Sequence, residues 1–396
     1  MMAAIHAAND KNRVYLIESS GRIGQKILVT GNGKCNIGNR CISTEQYYTN
    51  NPNRLEGILN TYSMEDSISF FEKMGMLVTH KGDYYYPYSE QASTVLDVFR
   101  RKIASLPIEI ITEFDVMDIK PIKNGGFLIV SESKDSLKCD KCIICTGGPA
   151  GYKKNRKYHI YDILKKLNIK FSKTVPALVG LGTDDSEKKT IQGVRATCEI
   201  QLKIDGITKK TEIGEVQFTE YGLSGIPVFQ FSRLASYALM NGQNICAVID
   251  FFPGKSKEEL TCFLKGRLEN SSQEEILEVL TGVLNKKINL ALLHHLMIQP
   301  SLKVEALPYD FIDNICSLIK EYTMNITYNR DFEFAQVCAG GVLFSELTDN
   351  LESKNIPGLF FAGEILDVDG ICGGYNLHFA FASGKIAGRS AANADY

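Results

Sequence analysis

The sequence predicts an α/β fold in which the first and last parts of the chain form one domain around an inserted middle part. A short apolar run at residues 14–17 ends at an acidic residue, Glu18, as a buried parallel strand does. A second apolar run at residues 359–362 leads into Gly363-Glu364 and then a helix rich in small residues. Between these runs the pattern changes first to β-structure and then to Leu-rich helices, which predicts an insertion.

The first part of the chain alternates predicted helices and strands. Residues 1–8 are Ala-rich and predict a helix, and residues 14–17 predict the first strand. A segment punctuated by glycines follows. Two further helices are predicted at 63–74 and 94–103, and strands at 108–111, 116–119, 127–130 and 142–145.

The middle and last parts differ in their periodicity. Predicted strands at 196–204, 211–218 and 246–251 precede a stretch with helical spacing of leucines, and the α/β pattern returns from Arg330. We therefore expect three parts: a discontinuous domain of residues 1–175 and 329–396, a β-rich insert of residues 176–256 and 320–328, and a helical insert of residues 257–319.

Composition excludes several classes of protein. The 396 residues are 44% hydrophobic and 23% charged, with a net charge of -2, so no basic excess favours nucleic acid or an anionic membrane. No apolar run reaches the ~18 residues of a membrane helix, and no signal peptide is visible. We expect a cytoplasmic protein that acts without nucleic acid or membrane partners. Its oligomeric state is left open.

Cysteine spacing gives one pattern that resembles a metal site. Cys139, Cys142 and Cys145 lie three residues apart, but residues three apart on a strand face opposite sides. No second pair with metal-ligand spacing completes the set. We therefore expect reduced, small hydrophobic side chains and no metal.

The carboxylate at the end of the first strand is the first candidate binding residue. In a dinucleotide fold, an acid at this position accepts both ribose hydroxyls, and the alternative is an ordinary charged strand end. The G-x-G-x-x-G motif expected roughly twenty residues upstream of Glu18 is absent. Either translation starts upstream of Met1, which we favour, or the protein functions without that strand and its turn.

Two glycine-rich loops are the other candidate sites. Gly31 and Gly33 allow the backbone to approach a ligand, and Lys26 can neutralise phosphates, although no Walker motif is present. The Gly363-Glu364 pair can receive a ribityl hydroxyl. The glycines at residues 373–374 let the last helix begin close to a flavin ring. The alternative is a loop that only reverses the chain.

Together these stretches resemble the BaiN-like family of bacterial NAD(P)/FAD-dependent flavoproteins, which includes bile-acid enone reductases. The resemblance is carried by residues 25–36 (QKILVTGNGKCN), 334–342 (FAQVCAGGV), 358–364 (GLFFAGE) and 369–377 (DGICGGYNL). It implies a two-dinucleotide-binding, Rossmann-like FAD domain, split in sequence, with an inserted β-rich domain that carries a helical insert. The first glycine motif is missing from this pattern.

The resemblance also implies the residues that contact FAD. Glu18 would bind the adenosine ribose, and Val116 would supply backbone contacts to adenine. The remaining cofactor-binding residues are expected along the phosphates, the ribityl chain and the flavin: Lys26, Gly31, Gly33, Thr146, Gly147, Gly363, Glu364, Asp369, Asn376 and Leu377.

The implied activity is that of an FAD-dependent oxidoreductase. Hydride would pass from NAD(P)H through FAD to an electron-poor C=C or related small-molecule acceptor, although only the resemblance implies nicotinamide use. Tyr375, His378 and Arg330 are the candidates for positioning the acceptor and supplying a proton. Relatives often carry Gln in place of His378 and His in place of Glu220, which leaves the substrate open.

Two other functions are weighed against this one. A non-catalytic or degenerate flavoprotein, acting as a binding or regulatory module, is supported by the missing strand. A flavin enzyme acting on tRNA is disfavoured by the lack of a basic surface. Cys35 and Cys372 either approach the flavin or only pack, and packing is the preferred interpretation.

Overall fold

The computed structural model describes residues 1–152 and 159–393. Residues 153–158, which include a Lys-rich stretch, lie outside the described residues. The chain divides into two compact units: unit 1 comprises Met1–Val175 and Gln336–Tyr396, and unit 2 comprises Pro176–Ala335. The predicted α/β class is confirmed. None of the described helices has the length and the apolar character needed to cross a lipid bilayer.

The helices in the described residues are, in chain order, α1 (Met2–Ala7), α2 (Gln25–Leu28), α3 (Pro52–Asn60), α4 (Met64–Lys73), α5 (Ala92–Ala104), α6 (Ile160–Lys166), α7 (Lys188–Ile191), α8 (Ile226–Met240), α9 (Lys257–Glu269), α10 (Ile276–Val279), α11 (Lys286–His295), α12 (Phe311–Lys320) and α13 (Tyr375–Asn393). Sequence reasoning predicts the positions of α1, α4, α5 and α13. It misses α8, whose residues are apolar on nearly all sides and so show no helical periodicity.

The strands are β1 (Val14–Ile17), β2 (Gly38–Asn39), β3 (Tyr47–Thr49), β4 (Val78–Lys81), β5 (Tyr84–Pro87), β6 (Ile108–Ile111), β7 (Val116–Pro121), β8 (Phe127–Ser131), β9 (Ser136–Cys139), β10 (Cys142–Ile144), β11 (Val175–Ala177), β12 (Leu181–Gly182), β13 (Arg195–Ile204), β14 (Ile207–Phe218), β15 (Gly222–Ser224), β16 (Ile245–Asp250), β17 (Tyr322–Asn325), β18 (Tyr328–Asn329), β19 (Val337–Ala339), β20 (Leu359–Phe361) and β21 (Val368–Gly370).

Unit 1 contains two pairs of parallel strands. β1 pairs with β6, with Val14 opposite Ile108, and β10 pairs with β20, with Cys142 opposite Leu359. β21 pairs antiparallel with β3, and β7, β8 and β9 form an antiparallel sheet. Two of these pairings join the beginning and the end of the chain, so the split in sequence closes into one unit.

The first and last helices of the chain pack with direct backbone contact. A Cβ atom at Gly388 of α13 would clash with the carbonyl oxygen of Ala3 in α1, and a Cβ at Gly384 would lie 3.1 Å from the Cβ of Met2. Small residues therefore let α13 lie close against α1. Beside it, Phe71, Phe99 and Phe381 form a buried aromatic cluster with ring centroids 5.4 to 6.0 Å apart.

Unit 2 is built on a seven-stranded sheet with the order β17-β16-β13-β14-β15-β12-β18. The long hairpin of β13 and β14 alternates in burial: Cys198, Ile200 and Leu202 are fully buried and the residues between them are not. Helices α9 to α12 belong to the same unit, and the predicted leucine stripe of α9 is buried. A β-rich insert carrying helices is therefore confirmed.

Candidate functional site

A cavity of about 820 Å³ lies in unit 1 beside the open edges of two parallel strands. It is lined by residues of α1, β1, β7 and β10. Among the described residues, β1 has β6 as its one strand partner and β10 has β20, so each strand has one edge without a partner. Predicted cofactor-binding residues at three of these elements line the cavity: Glu18, Val116 and Thr146. The volume lies in the range of small-molecule sites, roughly 300–1,000 Å³.

Glu18 directly follows β1, and half of its carboxylate is already engaged. Oε1 accepts hydrogen bonds from the backbone N–H and from Oγ of Ser20, both at 2.9 Å. Within the described part of the chain, no hydrogen bond reaches Oε2. The turn after β1 therefore fixes the carboxylate and leaves one oxygen available to a donor group. The sequence predicts Glu18 but does not reveal Ser20, because the turn geometry decides that contact.

Glu364 connects three segments of unit 1. Its Oε2 lies 2.9 Å from Nζ of Lys26, and its Oε1 accepts hydrogen bonds from the backbone N–H groups of Gly148 (3.3 Å) and Cys338 (3.2 Å). Gly147, in a left-handed conformation with φ 69°, lies beside the same carboxylate. Sequence reasoning predicts most of these positions but misses Cys338, which lies within the quoted FAQVCAGGV motif.

The loop after α2 has a strained backbone. Gly31, Asn32 and Cys35 all have φ values between 53° and 56°. Cys35 is fully buried, and burial raises the pKa of its thiol to about 11. A left-handed conformation costs a non-glycine residue free energy, on the order of 1–3 kcal/mol, and such residues cluster at ligand sites. The thiol is neutral at physiological pH, which agrees with packing rather than nucleophilic chemistry.

The two glycine-rich loops contact each other. Asn36 Oδ1 accepts a hydrogen bond of 3.2 Å from the N–H of Gly38. A Cβ at Gly374, where φ is 89°, would lie 2.5 Å from that same oxygen and 2.7 Å from the nitrogen of Gly38. Only glycine fits at residue 374. Loops that are far apart in sequence therefore lie in contact, through an asparagine that the sequence does not predict as a contact.

The segment before α13 is held by an asparagine side chain. Asn376 Oδ1 accepts a hydrogen bond from the N–H of Gly370, and its Nδ2 donates one to the carbonyl of Gly370, both at 2.8 Å. Asp369 is buried in β21, and Leu377 packs against the core. The amide of Asn376 therefore shapes the loop at residues 371–374, and its role toward a cofactor stays a prediction.

Tyr375 begins α13 and is nearly buried. Its ring meets the ring of Tyr47 edge-on, with centroids 5.7 Å apart. A Cβ atom at Gly373 would lie 2.7 Å from Cε2 of the Tyr375 ring. Burial raises the pKa of the Tyr375 hydroxyl to about 12. The hydroxyl therefore keeps its proton across the physiological range.

His378 lies one turn further along α13 and is fully buried. Its Nδ1 is 3.3 Å from Oγ of Ser67, and no described residue forms a hydrogen bond with Nε2. Burial lowers the pKa of His378 to about 4, so the imidazole is neutral. Tyr375 and His378 thus share one helix. Arg330, the third predicted catalytic residue, lies in unit 2, directly after β18.

Comparison with known proteins places the chain among flavoenzyme relatives. Residues 1–390 match the family described as HI0933-like protein Rossmann domain. The 3-dehydro-bile acid delta(4,6)-reductase of Clostridium scindens is 32% identical over 99% of this chain and 96% of that protein. The ribosomal RNA dihydrouridine synthase of Haemophilus influenzae is 23% identical over 97% of this chain and 93% of that protein.

One solved structure of similar length is 3-ketosteroid-delta4-(5alpha)-dehydrogenase from Rhodococcus jostii. It is 13% identical with a TM-score of 0.46, covering 99% of this chain and 94% of that chain. The 32% identity to the bile-acid reductase confirms the predicted resemblance to BaiN-like proteins. Because the family match extends over residues 1–390, the chain belongs to the HI0933-like Rossmann-domain family.

Proposed function

We propose that this protein is an FAD-dependent oxidoreductase that reduces a C=C bond conjugated to a carbonyl group. The observation that carries the proposal is the contact between two glycine loops from opposite ends of the chain, at Asn36 and Gly374. Such a cradle admits a ligand against bare backbone. The family match and the 32% identical reductase support the choice of FAD as the ligand and of C=C reduction as the proposed reaction.

The relatives supply a common chemistry for the acceptor. A 3-dehydro-bile acid with double bonds at positions 4 and 6 is a conjugated enone. The uracil ring of uridine likewise has a C=C bond conjugated to a carbonyl. Reduction of such a conjugated system by hydride would add hydride to the carbon far from the carbonyl and a proton to the near carbon. An electron-poor C=C is therefore the acceptor class that these activities share.

The residues of unit 1 fit FAD at both of its ends. Glu18 offers one oxygen that no described residue engages, as a ribose hydroxyl requires. Lys26 carries a positive charge beside the loops and would face the phosphates, as the sequence predicts. At the other end, Gly373 and Gly374 admit no side chain and would lie against the flavin ring.

When bound, FAD would supply hydride exchange between a nicotinamide donor, NADH or NADPH, and the acceptor. The chain's own task is to orient the acceptor, exclude water and provide the proton. Tyr375 Oη holds a proton throughout the physiological range and is our candidate donor. The neutral, buried imidazole of His378 would support α13 beneath it.

A second candidate function is the reduction of uridine in RNA. The dihydrouridine synthases of Haemophilus influenzae and Escherichia coli each match 97% of this chain at 23% identity. Small-molecule reduction is favoured because the bile-acid reductase is more similar and because the net charge of -2 provides no excess of cations for RNA phosphates.

The test is an anaerobic reduction. The purified protein, saturated with FAD, is reduced by NADH or NADPH, and either a bile-acid enone or unmodified ribosomal RNA is then added. Reoxidation of the flavin by the enone, with two hydrogens gained by the product in mass spectrometry, supports the proposal. Reoxidation by RNA alone supports the second function. A protein that binds flavin and reacts with neither supports the non-catalytic alternative and contradicts the proposal.

A further inference from the structure

The guanidinium of Arg330 in unit 2 contacts two aromatic rings. Its guanidinium carbon lies 3.5 Å from the ring centroid of Phe334 and 4.5 Å from that of Tyr221. Its backbone N–H donates to the carbonyl of Gly180 at 3.0 Å. Contact with two aromatic faces restricts the orientation of the planar cation and leaves its N–H groups as donors for a ligand.

The charge of this guanidinium is not neutralised within the described residues. No carboxylate of the described chain lies within ion-pair distance of Arg330, and its guanidinium donates no hydrogen bond to a described group. Arg54, another half-buried arginine, differs: its guanidinium contacts Asp349 and the carbonyl oxygen of Thr348. A guanidinium has five N–H donors, so Arg330 can offer a bidentate pair to a planar anion.

The surroundings of Arg330 are aromatic. The ring of Tyr221 lies over Gly180, where a Cβ would be 2.7 Å from the phenol oxygen, and the ring of Tyr328 covers Gly182. Glycines at these positions of the sheet allow both rings to lie flat. Tyr328 is 40% exposed and Phe334 is 52% exposed, so ring surface remains in contact with solvent beside the cation.

We propose that Arg330 binds the carboxylate of an amphipathic small molecule whose apolar body lies on the neighbouring aromatic rings. A singly charged carboxylate suits the site better than a phosphate chain, because two acidic residues adjoin the residues that form it: Asp331 directly follows Arg330, and Glu220 directly precedes Tyr221. Such recognition would be the part of the predicted role of Arg330 that positions the acceptor. The inference rests on the proposed function and names an anionic class of ligand for unit 2.

The test pairs a residue change with a ligand change. Binding of a bile-acid enone with a free carboxylate, and of its methyl ester, is measured by calorimetry on the FAD-saturated protein and on Arg330→Met. We expect the acid to bind roughly 10-fold or more weakly to the variant, since hydrogen bonds to charged groups are lost, while the ester binds both proteins alike. Arg330→Lys keeps the positive charge but loses the paired N–H donors of the guanidinium, so its affinity for the acid should lie between those of the unchanged protein and Arg330→Met.

Arg233→Met is the matched control, because the guanidinium carbon of Arg233 also stacks on a tyrosine of unit 2, Tyr237, at 4.9 Å. It should leave the preference for the acid unchanged. Equal loss of acid and ester affinity in Arg330→Met, or no preference for the acid in the unchanged protein, overturns the inference. Both results come from binding measurements and do not depend on turnover. If the proposed reaction is wrong but this inference is right, the acid will bind through Arg330 and will not be reduced.

Discussion

Lys26 and Glu364 are separated by 338 positions in the chain, yet Nζ of the lysine lies 2.9 Å from Oε2 of the glutamate. The glutamate is 17% exposed, and its other oxygen accepts two backbone N–H groups. This one side chain therefore connects the glycine turn after β10 and the backbone of β19 to α2, the helix directly before the first glycine-rich loop.

Replacing this glutamate should weaken cofactor binding. Glu364→Gln removes the charge that Lys26 and the two backbone N–H groups share, and we expect the affinity for FAD to fall by roughly 10-fold. Flavin absorbance during equilibrium dialysis measures it. Glu90→Gln is the control, because Glu90 pairs with Lys34 at the same 2.9 Å on the surface. An equal effect of both substitutions would contradict the connecting role of Glu364.

A methyl group at Gly374 should disrupt the contact between the two loops. Gly374→Ala would place a Cβ 2.5 Å from Asn36 Oδ1 and force an alanine to adopt a φ of 89°. Gly125→Ala carries a comparable backbone penalty, with φ 97°, but has no atom within 4 Å. We expect Gly125→Ala to cost about 1 kcal/mol of unfolding free energy and Gly374→Ala at least ~1 kcal/mol more, together with loss of flavin. Chemical denaturation measures both. Similar losses of unfolding free energy in the two variants would show that a Cβ atom at residue 374 meets no steric conflict.

The hydroxyl of Tyr375 should matter for rate more than for binding. Tyr375→Phe keeps the contact with Tyr47 and removes the proton donor, so kcat for enone reduction should fall by ~100-fold or more with little change in acceptor affinity. Because the pKa of Tyr375 is about 12, the rate of the unchanged enzyme should show no decline due to this group near pH 10, where an ordinary tyrosine titrates. A decline near pH 10, or full activity of the variant, would assign the proton to another group.

Burial of His378 should make unit 1 sensitive to acid. Its pKa is lowered from 6.5 to about 4, so the unfolded chain takes up a proton first as the pH falls. The free energy of unfolding that depends on a neutral His378 is fully present above pH 6.5 and is lost as the pH falls toward 4. The loss is about 2 kcal/mol at about pH 5. His378→Gln should remove that part of the acid dependence, as measured by urea unfolding at several pH values. The pKa of His6 is also lowered to about 4, so His6 should contribute separately to the acid dependence of the unfolding free energy and should still do so in the variant.

How far the sequence predicts this fold depends on whether a segment is determined locally. The apolar runs that become β1 and β20 are recognisable because buried parallel strands need continuous apolar residues. The hairpin of β4 and β5 is not, because its Tyr-rich and charged residues show no simple alternation.

The candidate site shows the same division. Glu18, Lys26 and Glu364 follow from motifs, since each stands beside a glycine turn. Their partners Ser20 and Cys338 both contribute backbone N–H groups, which no residue type reveals, and the added hydroxyl contact of Ser20 depends on the geometry of the turn. Arg330 was grouped with Tyr375 and His378 because all three are polar. The sequence has no signal that assigns Arg330 to the other unit.

The most direct test of the central claim, that both ends of the chain hold a single FAD, is a comparison of FAD and FMN binding to the unchanged protein and to Glu18→Gln. FMN lacks the adenosine ribose that Glu18 would bind, so the unchanged protein should bind FAD at least ~10-fold more tightly than FMN. Glu18→Gln should reduce that preference and leave FMN binding as it was. Equal affinities for the two flavins, or no binding of either, would contradict the account.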